Sequence, residues 1–177
     1  NKKILYNFFL IFINLKKNRK NKSYDLIFYN RKHLNKFNKD LNNLVIEIAK
    51  TFRVCVIGDY LRSVHSNKIN NKGYITRKKA NRLMSISKFA ICGPENLYSL
   101  FAIDAYNNNC GVLYNKKLSN FKFAKSKNFY PINYSFNKKN YKSIAKLIKK
   151  NKFYKDEIFI NKIERKKNEI NSFFKND

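Results

Sequence analysis

The 177 residues are the length of one ordinary domain, and 44% of them are hydrophobic, which excludes a disordered polyelectrolyte. Thirty-nine Lys and Arg against 11 Asp and Glu leave a net charge of +28, so anions are the favoured ligands and cations the disfavoured ones. The cysteines at 55, 92 and 110 are odd in number and far apart, and His33 and His65 have no cysteine beside them; this excludes a disulfide framework and a zinc site and implies a reducing, cytoplasmic setting.

A basic chain invites a nucleic-acid reading, and a basic α/β protein docked on RNA or a ribosome is the alternative function. Only seven of the 39 basic residues are Arg, however, and the Lys are spread along the whole chain. Base recognition favours the bidentate Arg fork over a Lys point charge. Asn, Lys, Ile, Phe and Tyr are abundant together while Gly and Pro are scarce and Trp is absent, a composition typical of AT-rich coding sequence. Nucleic acid is therefore not the expected partner.

Residues 4–15 (ILYNFFLIFINL) form a strongly apolar run followed by a basic stretch at 16–20. A spanning helix needs roughly 20 apolar residues, so this run is expected to be buried or to lie at an interface, and its basic flank would suit anionic lipid headgroups. Residues 1–23 are read as a linker or interdomain segment that allows a peripheral contact with an anionic membrane.

Residues 24–30 (YDLIFYN) read as a buried strand. Leu41, Leu44, Val45, Ile48 and Ala49 then follow helical spacing. Residues 53–57 (RVCVI) form a second strand, closed by Gly58 and Asp59. Strand, helix and strand in this order predict a βαβ unit with parallel strands. A short strand candidate lies within 68–75, and Thr76 caps a helix carrying Ala80, Leu83, Met84 and Ser87. Residues 88–92 (KFAIC) form a strand ending at Gly93-Pro94, and a helix over 97–105 follows. Residues 111–114 and 129–134 are the last strands, the second with Pro131 marking an edge or a strand start. Helices over 138–150 and 156–174 close the chain. The expected fold is α/β: a doubly wound, mostly parallel, Rossmann-like sheet of five or six strands over 24–150, with a C-terminal helix in 151–177.

Ligands of such sheets collect at the carboxyl ends of the strands. Two cations stand there, Arg31 and, five positions on, Lys36, suited to gripping two phosphates. Gly93, Glu95 and Asn96 lie in a later loop at the same edge. Asp104 sits in an otherwise apolar helix, and a buried carboxylate requires a partner, either a ribose hydroxyl pair or a nearby Lys.

This ordered set resembles the donor-binding, carboxyl-terminal half of GT-B glycosyltransferases, in particular the retaining family 4, or glycosyl transferases group 1. The resemblance rests on Asn30-Arg31 and Lys36 after the first strand, Gly58-Asp59 after the second, Gly73-Tyr74-Ile75 before a helix, the acidic pair Glu95 and Asp104, and Cys110-Gly111-Val112-Leu113. It covers roughly residues 24–148. Departures are Asn30 for the family's Gly, Asp104 for its second Glu, and an acidic spacing one position longer. The resemblance implies transfer of a sugar from a nucleoside-diphosphate sugar, without a metal or other cofactor, to an acceptor of unknown nature. It implies that Glu95, Arg31 and Lys36 serve catalysis and that Arg31, Lys36, Gly58, Gly93, Glu95, Asn96 and Asp104 hold the donor. It also implies a partner amino-terminal acceptor domain, without which this chain would be inactive alone.

Overall fold

Between Tyr24 and Lys150, runs of β-branched and aromatic residues alternate with runs of helical period, and in the computed structural model they assemble into a single sheet. The structure describes residues 21–32, 38–63, 67–93, 100–117 and 126–150, with helical positions at 161, 164, 165, 168 and 172. The apolar run at 4–15 lies outside the described residues. So does most of the helix expected over 156–174, whose five described positions are helical.

The strands are β1 (Tyr24–Asn30), β2 (Val54–Gly58), β3 (Ile69–Asn71), β4 (Ser87–Ile91), β5 (Gly111–Asn115) and β6 (Phe129–Ile132). The helices are α1 (Lys39–Ala49), α2 (Arg77–Ser85), α3 (Leu100–Asn107) and α4 (Lys138–Lys150). The sheet runs β3-β2-β1-β4-β5-β6 and every neighbouring pair is parallel. The doubly wound α/β expectation therefore holds, with six strands. The strand expected within 68–75 narrows to three residues, although Lys72 N still donates to Val56 O and Gly73 O still accepts from Gly58 N, both at 2.8 Å. Pro131 lies in β6, which is an edge strand.

Strand residues alternate between two cores, as the period of two demands. Ile27, Cys55, Ile57, Ala90, Cys92 and Val112 face Met84 of α2 and Ala102, Ile103, Ala105 and Tyr106 of α3. Leu26, Phe28, Val54, Val56, Ile91 and Leu113 face Leu41, Leu44, Val45 and Ile48 of α1 and Ile144 and Ile148 of α4. Burying each such aliphatic side chain stabilises the fold by roughly 1.5–3 kcal/mol.

The helix starts are written locally. Asn38 caps α1 by accepting from Leu41 N at 2.8 Å, and Thr76 caps α2 by accepting from Lys79 N at 3.4 Å. Asn137 does the same for α4, accepting from Asn140 N at 2.9 Å. At the opposite edge of the sheet the Lys22 ammonium donates to Ser85 O and Asn109 O, both at 3.1 Å. A cation there satisfies carbonyls left over beyond the ends of α2 and α3. Asn109 adopts a φ of 57°, the left-handed turn that ends α3.

A crevice at the carboxyl ends of the central strands

Strands β1 and β4 lie side by side, but their chains leave in opposite directions. From β1 the chain crosses through α1 to β2; from β4 it crosses through α3, on the other face, to β5. The two exits diverge and leave a crevice at the carboxyl ends, the usual ligand position in open parallel sheets.

The β1 exit is tied to the β2 exit. Buried Asn30 donates through Nδ2 to Asp59 O at 3.0 Å, and Asp59 N donates back to Asn30 O at 3.0 Å. The Lys32 amide donates to Asp59 Oδ2 at 2.7 Å. That bond, opposed by partial desolvation and helped by the Tyr74 hydroxyl and the Lys32 charge, holds the Asp59 carboxyl below its ordinary range. The side-chain hydrogen bond between Tyr74 and Asp59, with partial desolvation and the Asp59 and Tyr29 charges, raises the Tyr74 phenol, and the nearby charge of Arg31 opposes that rise. Three turns, after β1, after β2 and after β3, thus converge on one carboxylate.

The Arg31 guanidinium lies 4.6 Å from the centre of the Tyr29 ring. Tyr29 in turn packs on Phe101 of α3, ring centres 5.9 Å apart. A cation over an aromatic face is held there by the ring quadrupole. Tyr29 precedes Arg31 by two positions, so both side chains leave the same side of an extended chain. The sequence reading singled out Arg31 but not Tyr29, although this spacing carried the signal.

Gly58 ends β2 at φ +86°, with Asn30 and Tyr29 filling the space where a side chain would stand. Its local task is close approach of two strands of this chain. Gly93 follows Cys92, whose carbonyl accepts from the Tyr134 hydroxyl at 2.5 Å, so the exit of β4 is fastened from beyond β6. Lys36, Glu95 and Asn96 lie outside the described residues.

Asp104 is buried, and its carboxylate has a partner on α2. Arg77 Nε and Nη2 donate to Asp104 Oδ2 and Oδ1, both at 2.7 Å, in a two-pronged ion pair. Asp104 first through this hydrogen bond, and then through its charge, raises the Arg77 pKa. The counter-charge is an Arg at the first residue of α2, where the sequence reading weighed a ribose or a Lys. One turn further along both helices, Asn108 Nδ2 donates to Asn81 Oδ1 at 2.8 Å. Positions 77 and 81 of α2 therefore face 104 of α3 and 108 just past its end, a four-residue spacing on both sides of the seam.

Replacing Arg77 by Ala would strand a buried carboxylate. The expected loss of stability is about 1.5–3 kcal/mol, toward the lower end because the Arg77 side chain is 61% exposed. For a chain of this length that lowers the melting midpoint by roughly 3–12 °C. Adding Asp104→Leu to Arg77→Ala should recover part of the loss, since no charge is then buried alone. Thermal melts of the three chains check this; an unchanged midpoint in the single variant would show that the α2–α3 seam carries no weight.

Cys55, Cys92 and Cys110 are all buried and free. Burial pushes the Cys55 and Cys110 thiols up to about 12, against smaller lowering effects of Lys72 and Lys22, and pushes Cys92 higher still. Such thiols pack as small apolar side chains and are poor nucleophiles. Among the described residues no three His, Cys, Asp or Glu side chains group as a metal site, and no helix is long and apolar enough to cross a membrane.

No protein-family model and no curated protein matches this chain in sequence.

Proposed function

We propose that the chain binds the diphosphate of a nucleotide sugar in the β1–β4 crevice and acts as the donor-binding half of a GT-B glycosyltransferase of the retaining type. The observation that carries the reading is the position of Arg31, held on the Tyr29 ring where the two central strands diverge. Glycosyl transfer expels a nucleoside diphosphate, so negative charge grows on the leaving oxygen. A cation fixed beforehand stabilises that charge more than it stabilises the bound donor.

In this proposal Lys36 joins Arg31 on the phosphates, and Glu95 faces the donor sugar. Gly93 and Asn96 let main-chain amides approach the donor. Gly58 shapes the crevice wall. The two Asp104 oxygens keep lone pairs beyond those used by Arg77, so the carboxylate can accept from ribose hydroxyls while Arg77 fixes its orientation. Acceptor recognition falls to a second, amino-terminal domain, and the chain alone transfers little sugar.

Calorimetric titration of the full chain with uridine and guanosine diphosphates, at two salt concentrations and beside oligouridylate, tests the proposal. One of the diphosphates is expected to give a saturable heat that persists at the higher salt. Binding to RNA through scattered Lys is expected to fall steeply with salt. Absence of any diphosphate heat, with salt-resistant RNA binding instead, would replace this reading by the RNA-docking one.

A further inference from the structure

The last described helix, α4, has thirteen residues, of which six are Lys and none is acidic. Its apolar residues Ile144 and Ile148 are spent on the core, so the lysines crowd the remaining faces. Four of them, Lys142, Lys146, Lys149 and Lys150, recur at helical spacing and wall one groove of about 560 Å³. The opposite wall is Thr51 and Phe52, at the end of α1 and just before β2, so the groove opens toward the amino edge of the sheet, away from the crevice. No carboxylate lines it among the described residues. Lys68 adds a further cation beside it, donating to Thr51 O at 2.9 Å.

We infer that this groove and its lysine wall dock the protein on an anionic membrane surface. Lys is a hydrated point charge without a directional fork, which suits a diffuse layer of headgroups better than a defined phosphate pattern. Single-stranded nucleic acid is the weaker candidate, because such sites stack bases on free rings. Here Phe52 is buried, and the Tyr141 hydroxyl is tied to Thr51 Oγ1 at 3.0 Å. Docking through this edge leaves the β1–β4 crevice facing solvent. The inference does not depend on what the crevice binds.

Co-sedimentation of the full chain with vesicles of phosphatidylcholine alone, and with about one third phosphatidylserine, reads the effect. Each lysine near an anionic surface contributes roughly fivefold in partitioning. A variant with Lys142, Lys146, Lys149 and Lys150 all changed to Gln is expected to lose at least about a hundredfold on the anionic vesicles. A control with Lys78, Lys79, Lys116 and Lys117 changed to Gln removes the same charge from other exposed positions and is expected to lose less than about tenfold. All eight side chains are exposed, so both variants should keep the parent melting midpoint. Equal losses in the two variants would mean that only the net charge of the chain attracts lipid. Displacement from the vesicles by equimolar oligouridylate would mark the groove as a nucleic-acid site. Either result overturns the inference.

Discussion

Changing Gly58 to Ala is expected to destabilise the protein by about 3–5 kcal/mol. Two costs add. The residue holds φ at +86°, where a side chain is strained. In addition, a Cβ would overlap the Asn30 carbonyl oxygen and approach Cε2 of Tyr29 to 2.7 Å. The carbonyl belongs to the paired backbone of β1, opposite Gly58 in register, so it cannot swing aside as a flexible side chain would. Gly73→Ala separates the two costs. Gly73 also has a positive φ, +65°, but its nearest neighbours, on Tyr60, are 3.8 Å away, so only the conformational strain of about 1–2 kcal/mol applies. Denaturant unfolding of both variants measures the difference. Equal losses would mean that β1 and β2 do not approach as closely as described.

Arg31→Ala is expected to weaken nucleoside diphosphate binding by ten- to a hundredfold. A charge-assisted contact contributes about 1.5–3 kcal/mol, and about 1.4 kcal/mol is a factor of ten. Arg31→Lys should lose less, because it keeps the charge but not the planar fork or its stacking on Tyr29. Lys50→Ala is the matched control: Lys50 sits at the far end of α1, paired with Glu47 at 2.7 Å, and its loss should leave affinity nearly unchanged. Calorimetry on the three variants decides. Matched affinities for Arg31→Ala and Lys50→Ala would reduce Arg31 to one more cation on a basic surface. Retained binding in the parent would still separate that failure from a failure of nucleotide binding altogether.

Both predictions concern residues visible in the sequence, but the reason Gly58 must be glycine lies in the tertiary structure. Gly58 stood out as a turn glycine near a ligand edge, whereas the atoms that demand glycine there belong to Asn30 and Tyr29. Arg31 stood out by its place after an apolar strand, and the ring that holds it could have been found two positions earlier by strand period. Arg77 gave no such signal. It follows the Thr76 cap and looks like an ordinary first-turn residue, yet it holds Asp104, buried inside the apolar helix α3.

What the sequence determined by itself is whatever short-range physics encodes. The strand and helix order over 24–150, the cap at Thr76 and the edge character of Pro131 follow from periodicity, capping chemistry and proline's missing donor. Parallel pairing followed too, because a helix between two strands leaves room for little else. Tertiary structure alone decided that β1 lies between β2 and β4, and hence where the crevice opens. It also decided that Arg77 meets Asp104, that Asp59 gathers Lys32 and Tyr74, and that α4 turns four lysines toward Thr51. Those meetings join residues from about fifteen to a hundred positions apart. Local propensity carries no information at that range; which side chains meet is set by the order and packing of whole elements, through the core they bury together.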